Sequence, residues 1–124
     1  MTGAGQTFRK HEHLRRPAEF KQVYDTRCSV SDSRLVVYGR LNALPHTRLG
    51  LSVSRKFGGA VARNRLRRLY REAFRLTRAE LPAGLDLVLI PRSPREPALE
   101  ELRASLRVLV PALARRLARP REKA

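Results

Sequence analysis

A single cysteine, Cys28, occurs in the 124 residues. That excludes a disulfide framework and a thiolate zinc cluster, and it fits a reducing cytosol. Placed at the start of a β-rich stretch, Cys28 reads as a small apolar filler. Long hydrophobic runs are also missing. None approaches the ~20 residues of a membrane-spanning helix, and the opening "MTGAGQTFRKHEHLRR" lacks the apolar segment of a secretory signal. Acids are scarce, 11 against 27 Lys and Arg, and they are scattered, so no acidic cluster is available to hold two metal ions. Glu100 and Glu101 sit together, but at the start of a helix, where the helix dipole accounts for them. Of the histidines His11, His13 and His46, two fall in an aperiodic N-terminal stretch, whereas a metal-independent nuclease needs a rigidly positioned acid–base pair.

What is abundant is positive charge. The formal net charge is +16 and the pI near 11.7, which implies a polyanionic partner: nucleic acid first, an anionic membrane surface second. Hydrophobic residues make up 42%, too many for a disordered polybasic tail, so one domain with a real core is expected. Of the cations, 23 are Arg and 4 are Lys. Arginine codon usage in a GC-rich genome explains that preference but not the net charge, and Arg is the cation that forks onto phosphate oxygens and stacks on bases.

Along the chain, residues 1–13 read as a flexible basic arm, 14–118 as a single domain and 119–124 as a frayed basic tail, with fraying expected throughout "RRLARPREKA". In "LRRPAEFKQVYDT" Pro17 suits a first helical position and Phe20, Val23 and Tyr24 share a face, predicting a helix over about 17–25. "RCSVSDSRLVVYGRL" is rich in β-formers and is broken by "SDS" into two strands. "RLGLSVSRK" alternates, with Leu49, Leu51 and Val53 on one side. Arg48, Gly50, Ser52 and Ser54 lie on the other, a small, polar face expected to be open to solvent or ligand. After "FGG", a helix over about 60–80 ends near "LPAG". "LDLVLIPR" reads as a strand buried on both faces. In the last helix Leu99, Leu102, Leu106, Leu109 and Leu113 form the core stripe, and Pro111 is expected to kink or end it. The order is helix, three strands, helix, strand, helix, an α+β arrangement of one sheet covered by helices.

The stretch "VARNRLRRLYREAF" carries the strongest functional signal. Leu66, Leu69, Tyr70, Ala73 and Phe74 keep the spacing of a buried stripe. Arg63, Asn64, Arg67, Arg68, Arg71, Arg75 and Arg78 fall mainly outside it, with Arg55 and Lys56 entering from the strand end. Such a band suits successive phosphates. A solvated face is the ordinary explanation of a charge run, but here Glu72 is the only counter-charge within the stretch. Phe20, Tyr24 and Tyr38, beside basic residues, suit stacking on unpaired bases; core packing is the plainer reading of the same rings.

"LGLSVSRKFGGAVARNRLRRLYREAFR", centred on Arg63-Asn64-Arg65, closely resembles the signature of the bacterial ribonuclease P protein subunit. The resemblance extends through "LRRPAEFKQVY" and "LVLIPR", over about residues 14–110. It implies an α/β sandwich of the ribosomal protein S5 domain 2-like type, in the order αβββαβα. It also implies a left-handed βαβ crossover, which periodicity would not give, since such crossovers are right-handed in about 98% of cases. The implied function is that of a protein cofactor of ribonuclease P. The chain would bind the catalytic RNA subunit and the 5′ leader of precursor tRNA. Mg²⁺ would be required through the RNA, with no catalytic or metal-binding residue and no cofactor on this chain. Carried over residue by residue, Arg55, Lys56, Arg63, Asn64, Arg65, Arg67, Arg68 and Arg71 match positions facing the RNA subunit. Phe20, Tyr24, Tyr38, Ser52 and Arg92 match positions lining the leader cleft; Tyr24 stands where the family often has Phe. The expected partners are ribonuclease P RNA and precursor tRNA, without a membrane or an obligate protein partner, in the cytoplasm.

Three rivals remain at this level. A structural, ribosomal-type RNA-binding protein would show no preference for precursor over mature tRNA. A DNA-binding module using "RNRLRRLYREAF" as recognition helix wants a helix-turn-helix partner upstream, where a strand and glycines stand. A nuclease acting through His11 and His13 would cleave RNA unaided.

Overall fold

The computed structural model describes residues 10–93 and 95–119. Helix α1 spans Pro17–Asp25, strands β1 Ser29–Ser31, β2 Leu35–Leu41 and β3 Arg48–Leu51, helix α2 Ala60–Thr77, strand β4 Leu85–Pro91 and helix α3 Leu99–Ala118. One four-stranded sheet has the order β1-β2-β4-β3. β2 pairs antiparallel with both β1 and β4, while β3 runs parallel to β4. A parallel neighbour requires a crossover, and α2 supplies it.

The two faces of the sheet follow from strand alternation. Leu35 and Val37 of β2, Leu49 of β3, and Leu85, Leu87 and Leu89 of β4 meet Leu66, Tyr70 and Phe74 of α2 and Leu102, Leu106 and Leu113 of α3 in the main core. On the opposite face Leu14, Val23 and Val88 form a smaller core with Phe20, Tyr24, Tyr38 and Ile90 against it. The sheet therefore lies between α1 and the α2–α3 pair. β4 is central, and all but one of its residues are buried, as its unbroken apolar run predicts.

Local chemistry sets the helix ends. Pro17 opens α1, and Glu19 Oε1 accepts hydrogen bonds from the backbone N–H of Arg15 (2.8 Å) and Arg16 (3.0 Å), satisfying two donors near the first turn. Gly58, at φ 119°, makes the turn into α2, a backbone conformation that a side chain resists. Glu101 Oε1 accepts from the Ala98 N–H (2.9 Å) at the start of α3.

Four expectations change. The arm expected over 1–13 does not extend that far. Residues 10–12 form a 3₁₀ turn, Glu12 meets Arg78 at 2.6 Å, and His13 bridges to Leu49 beside β3. Its first nine residues lie outside the described ones. α3 runs through Pro111 without ending, because Leu109, Val110 and Leu113 on either side are buried in the main core and hold the helix in place. The fraying expected from Arg115 onward is not found over residues 115–118, where α3 continues to Ala118 and Arg116 donates to the Ser29 carbonyl at 2.7 Å. The tail beyond Arg119 lies outside the described residues. The small, polar side of β3 is only partly open: Gly50 is buried and Arg48 is held by carboxylates, while Ser52 is half-exposed and Ser54 exposed.

Candidate nucleic-acid interface

Helix α1 crosses the sheet and divides its face into an aromatic side and a polar clamp. Tyr38, Val88 and Gly50 stand side by side on β2, β4 and β3. Phe20 lies on Gly50, where a Cβ would come within 2.7 Å of the ring. Tyr24 meets Tyr38 edge-on, with centroids 5.1 Å apart. In the next row Val36 opposes Ile90, and Ser52, two residues beyond Gly50, continues the same face on β3's side. Arg92 follows β4, its backbone N–H donating to the Arg34 carbonyl and its guanidinium to Ser31 Oγ (3.3 Å) and the Asp32 carbonyl (3.1 Å). The sheet thus brings Phe20, Tyr24, Tyr38, Ser52 and Arg92 to one face. The three rings pack in the small core yet stay partly open to solvent, so core packing and base stacking are compatible roles for the same side chains.

The row on the other side of α1 is charged. Asp86 is buried opposite Arg40 on β2 and Arg48 on β3. Arg48 donates to both its carboxylate oxygens at 2.8 and 2.7 Å, Asn42 donates at 2.9 Å, and Arg40 Nε stands 3.4 Å away as an ion pair. Burial alone would raise the Asp86 pKa. The hydrogen bonds from Arg48 and Asn42, with the charges of Arg48 and Arg40, outweigh it and hold the carboxyl below its ordinary value. Arg48 also reaches Glu19 (3.4 Å) and Arg40 reaches Gln22 (3.2 Å), both on α1. The backbone donors of Arg16 and Arg15, and then Arg48, hold Glu19 low as well. This clamp fixes one flank of α1 and thereby the position of Phe20 and Tyr24 on the other.

Helix α2 presents the basic surface. Arg55 and Lys56 lie exposed on the 3₁₀ turn that precedes it. Arg63 donates to the Gly58 carbonyl (3.2 Å) and Arg67 to Asn64 Oδ1 (2.8 Å), while Asn64 and Arg68 are exposed. Arg65 pairs with Glu96 at 3.2 Å, with both side chains largely in solvent. Among the described residues Arg55, Lys56, Arg63, Arg67, Arg68 and Arg71 have no carboxylate within ion-pair distance. The band stops earlier than its spacing suggests. Arg75 is paired with Glu72 at 2.7 Å and Arg78 with Glu12 at 2.6 Å, because the fold brings an acid from the N-terminal segment to the end of α2.

Arg71 joins the two surfaces. It lines an open pocket of about 470 Å³ together with Phe20, His13, Arg15, Leu49 and Leu51. Burial first, and then the charges of Arg67 and Arg15, push its guanidinium below its ordinary value. The sequence reading missed His13 and Arg15 here. One signal was available: Arg15 and Arg16 precede α1, at the positive end of its dipole, where cations are unfavourable unless an outside anion offsets them. His11, by contrast, packs edge-on against His46 with centroids 5.0 Å apart, so His11 and His13 occupy different surroundings. Among the described residues no three of His, Cys, Asp and Glu are grouped to hold a metal ion. No described helix is long and apolar enough to cross a membrane.

Comparison with known proteins shows the family and the fold. Residues 8–114 match the family model described as Ribonuclease P. The ribonuclease P protein component of Methylococcus capsulatus is 46% identical over 95 residues, covering 76% of this chain and 73% of the relative. That of Thermotoga maritima is 40% identical over 87 residues, 70% of this chain and 74% of the relative. The structure of the Thermotoga maritima RNase P protein superposes with a TM-score of 0.71 at 34% identity, over 84% of this chain and 96% of that one. The Staphylococcus aureus RNase P protein gives 0.70 at 32%, over 83% and 94%.

Proposed function

The chain belongs to the ribonuclease P protein family, and from that premise we propose that it serves the enzyme through two surfaces that meet at Arg71. Its function is that of the protein cofactor of ribonuclease P in 5′ maturation of tRNA, within a holoenzyme whose chemistry the RNA subunit carries. The α2 face, with Arg55, Lys56, Arg63, Asn64, Arg65, Arg67, Arg68 and Arg71, binds ribonuclease P RNA. The cleft of Phe20, Tyr24, Tyr38, Ser52 and Arg92 takes the single-stranded leader of precursor tRNA. His13 and Arg15 extend the cationic surface between them.

The observation that carries this reading is the pair of opposed properties of α2: one stripe buried in the core, the other an arginine face on which, among the described residues, Arg63, Arg67, Arg68 and Arg71 have no in-chain carboxylate partner. The chain supplies charge and stacking surface and leaves the chemistry to the RNA subunit. Mg²⁺ enters through the RNA subunit, and the protein acts by neutralising phosphates that would otherwise repel one another and by holding the leader. The complex assembles in the cytoplasm without an obligate protein partner.

The test is reconstitution with a bacterial ribonuclease P RNA at low Mg²⁺, assaying leader removal. Stimulation of cleavage, with tighter holoenzyme binding of precursor than of mature tRNA, is expected. Absence of stimulation rejects the reading; stimulation without that preference rejects the leader cleft.

A further inference from the structure

Beside the first turns of α2 lies a second open pocket, of about 590 Å³, whose walls include Phe57, Val61, Ala62 and Leu66, with Arg65 and Glu96 also lining it. Its chemistry differs from that of the basic face around it. Val61 is 81% exposed, on a surface whose other outward residues are mostly cationic or polar. A lone exposed valine needs no explanation, but this one continues an apolar wall. Phe57 is half-buried, and the Lys56 ammonium stands 5.4 Å from its ring centroid. Val61, Arg65 and Arg68 fall at i, i+4 and i+7, so the apolar wall and two guanidinium groups share one side of the helix.

We propose that this pocket receives one unstacked nucleobase of the ribonuclease P RNA, packed against Phe57 and Val61, while Arg65 exchanges Glu96 for a flanking phosphate. The inference rests on the reading of α2 as the RNA-subunit surface and deepens it. An apolar slot rimmed by cations complements a nucleotide extruded from a folded RNA, whose base offers an apolar π face and whose backbone offers charge. Phosphate neutralisation alone has no use for an apolar wall. The Arg65–Glu96 pair suits a gate because both side chains are exposed, at 71% and 45%, and such pairs are weak and readily exchanged. Glu96 itself repels the phosphate, so RNA must displace it from Arg65 to engage that guanidinium.

The test uses the full chain with the ribonuclease P RNA, measuring affinity between 50 and 200 mM salt and probing base reactivity in the RNA. Val61→Ser changes an exposed position and is expected to keep the wild-type melting temperature. It is expected to weaken RNA binding about five- to tenfold, at the low end of what base stacking contributes, with an unchanged slope of log affinity against log salt. Arg68→Ala, in contrast, lowers that slope by about one. Glu96→Gln is expected to tighten binding severalfold. One unpaired base protected by the wild type is expected to regain reactivity with Val61→Ser. Wild-type affinity and footprint for Val61→Ser would overturn the proposal and leave the pocket to a protein partner. A loss confined to precursor tRNA would overturn it in favour of the leader. A wild-type chain that does not bind the RNA at all would instead overturn the reading on which the proposal rests.

Discussion

Gly50 carries no side chain because Phe20 occupies the space: a Cβ there would stand 2.7 and 2.9 Å from the ring and 3.1 Å from Leu14 Cβ. Gly50→Ala is therefore expected to lift Phe20 off β3. Overpacking of this kind costs about 1–3 kcal/mol, measurable by urea denaturation, and precursor binding falls while mature tRNA binding is retained. Phe20→Ala tests the ring directly. It is expected to weaken precursor binding by about 1–3 kcal/mol, with mature tRNA nearly unaffected; an equal loss for both would reduce Phe20 to a core residue. Asp86 is the third decisive residue. Replacing it with Ala leaves Arg48 and Arg40 without their shared carboxylate, a change that costs about 3–5 kcal/mol for a buried pair. The pH dependence has a definite sign. A carboxyl held low in the fold adds stability above its unfolded-state value and loses it as pH falls through the folded value. Thermal melts of the wild type are expected to lose stability below about pH 4, with a weaker dependence in Asp86→Asn.

At the scale of the element, α2 is stable because its buried stripe outweighs the repulsion along its outer face. Leu66, Tyr70, Ala73 and Phe74 are all nearly inaccessible, and full burial of a large apolar side chain is worth about 1.5–3 kcal/mol. Like-charge pairs one turn apart cost only a few tenths each, about 0.2–0.5 kcal/mol. The repulsion is nonetheless real, and an anion that bridges the guanidinium groups removes it. Added pyrophosphate is expected to raise the melting temperature of the free protein, and to raise it less in Arg67→Gln/Arg71→Gln; equal shifts would mean that the anion acts elsewhere. Helix α1 depends on neighbours in a different way. It is nine residues long, too short to be stable alone, and it is held by Val23 in the small core and by Arg48 and Arg40 through Glu19 and Gln22.

For the whole molecule, the surplus of cations is gathered where in-chain acids do not reach. Arg75, Arg78, Arg103 and Arg107 are matched by Glu72, Glu12, Glu100 and Glu80, while the early turns of α2 and the turn before it keep most of theirs unmatched. If roughly five phosphates are neutralised there, affinity for the RNA is expected to fall about 10²–10³-fold between 50 and 200 mM salt. A nearly flat response would contradict a phosphate-led interface. Element order, the two-sided burial of β4 and the division of α2 into core and basic faces were legible in the sequence, because each is a matter of local periodicity. The pairing of Arg78 with Glu12 was not, since 66 residues separate them in the chain. Nor was the passage of α3 through Pro111, which depends on what the sheet presents beneath it.

By itself the sequence determined that a basic helix would be anchored by one stripe and leave the other free, since spacing and charge are properties of the chain. Only the tertiary structure decided where that free face ends, which acids neutralise its last turns, and that Phe20, His13, Arg15 and Arg71 share one pocket. Those outcomes depend on strands and helices meeting across long separations, which the packing of the sheet between α1 and the α2–α3 pair fixes and local pattern does not.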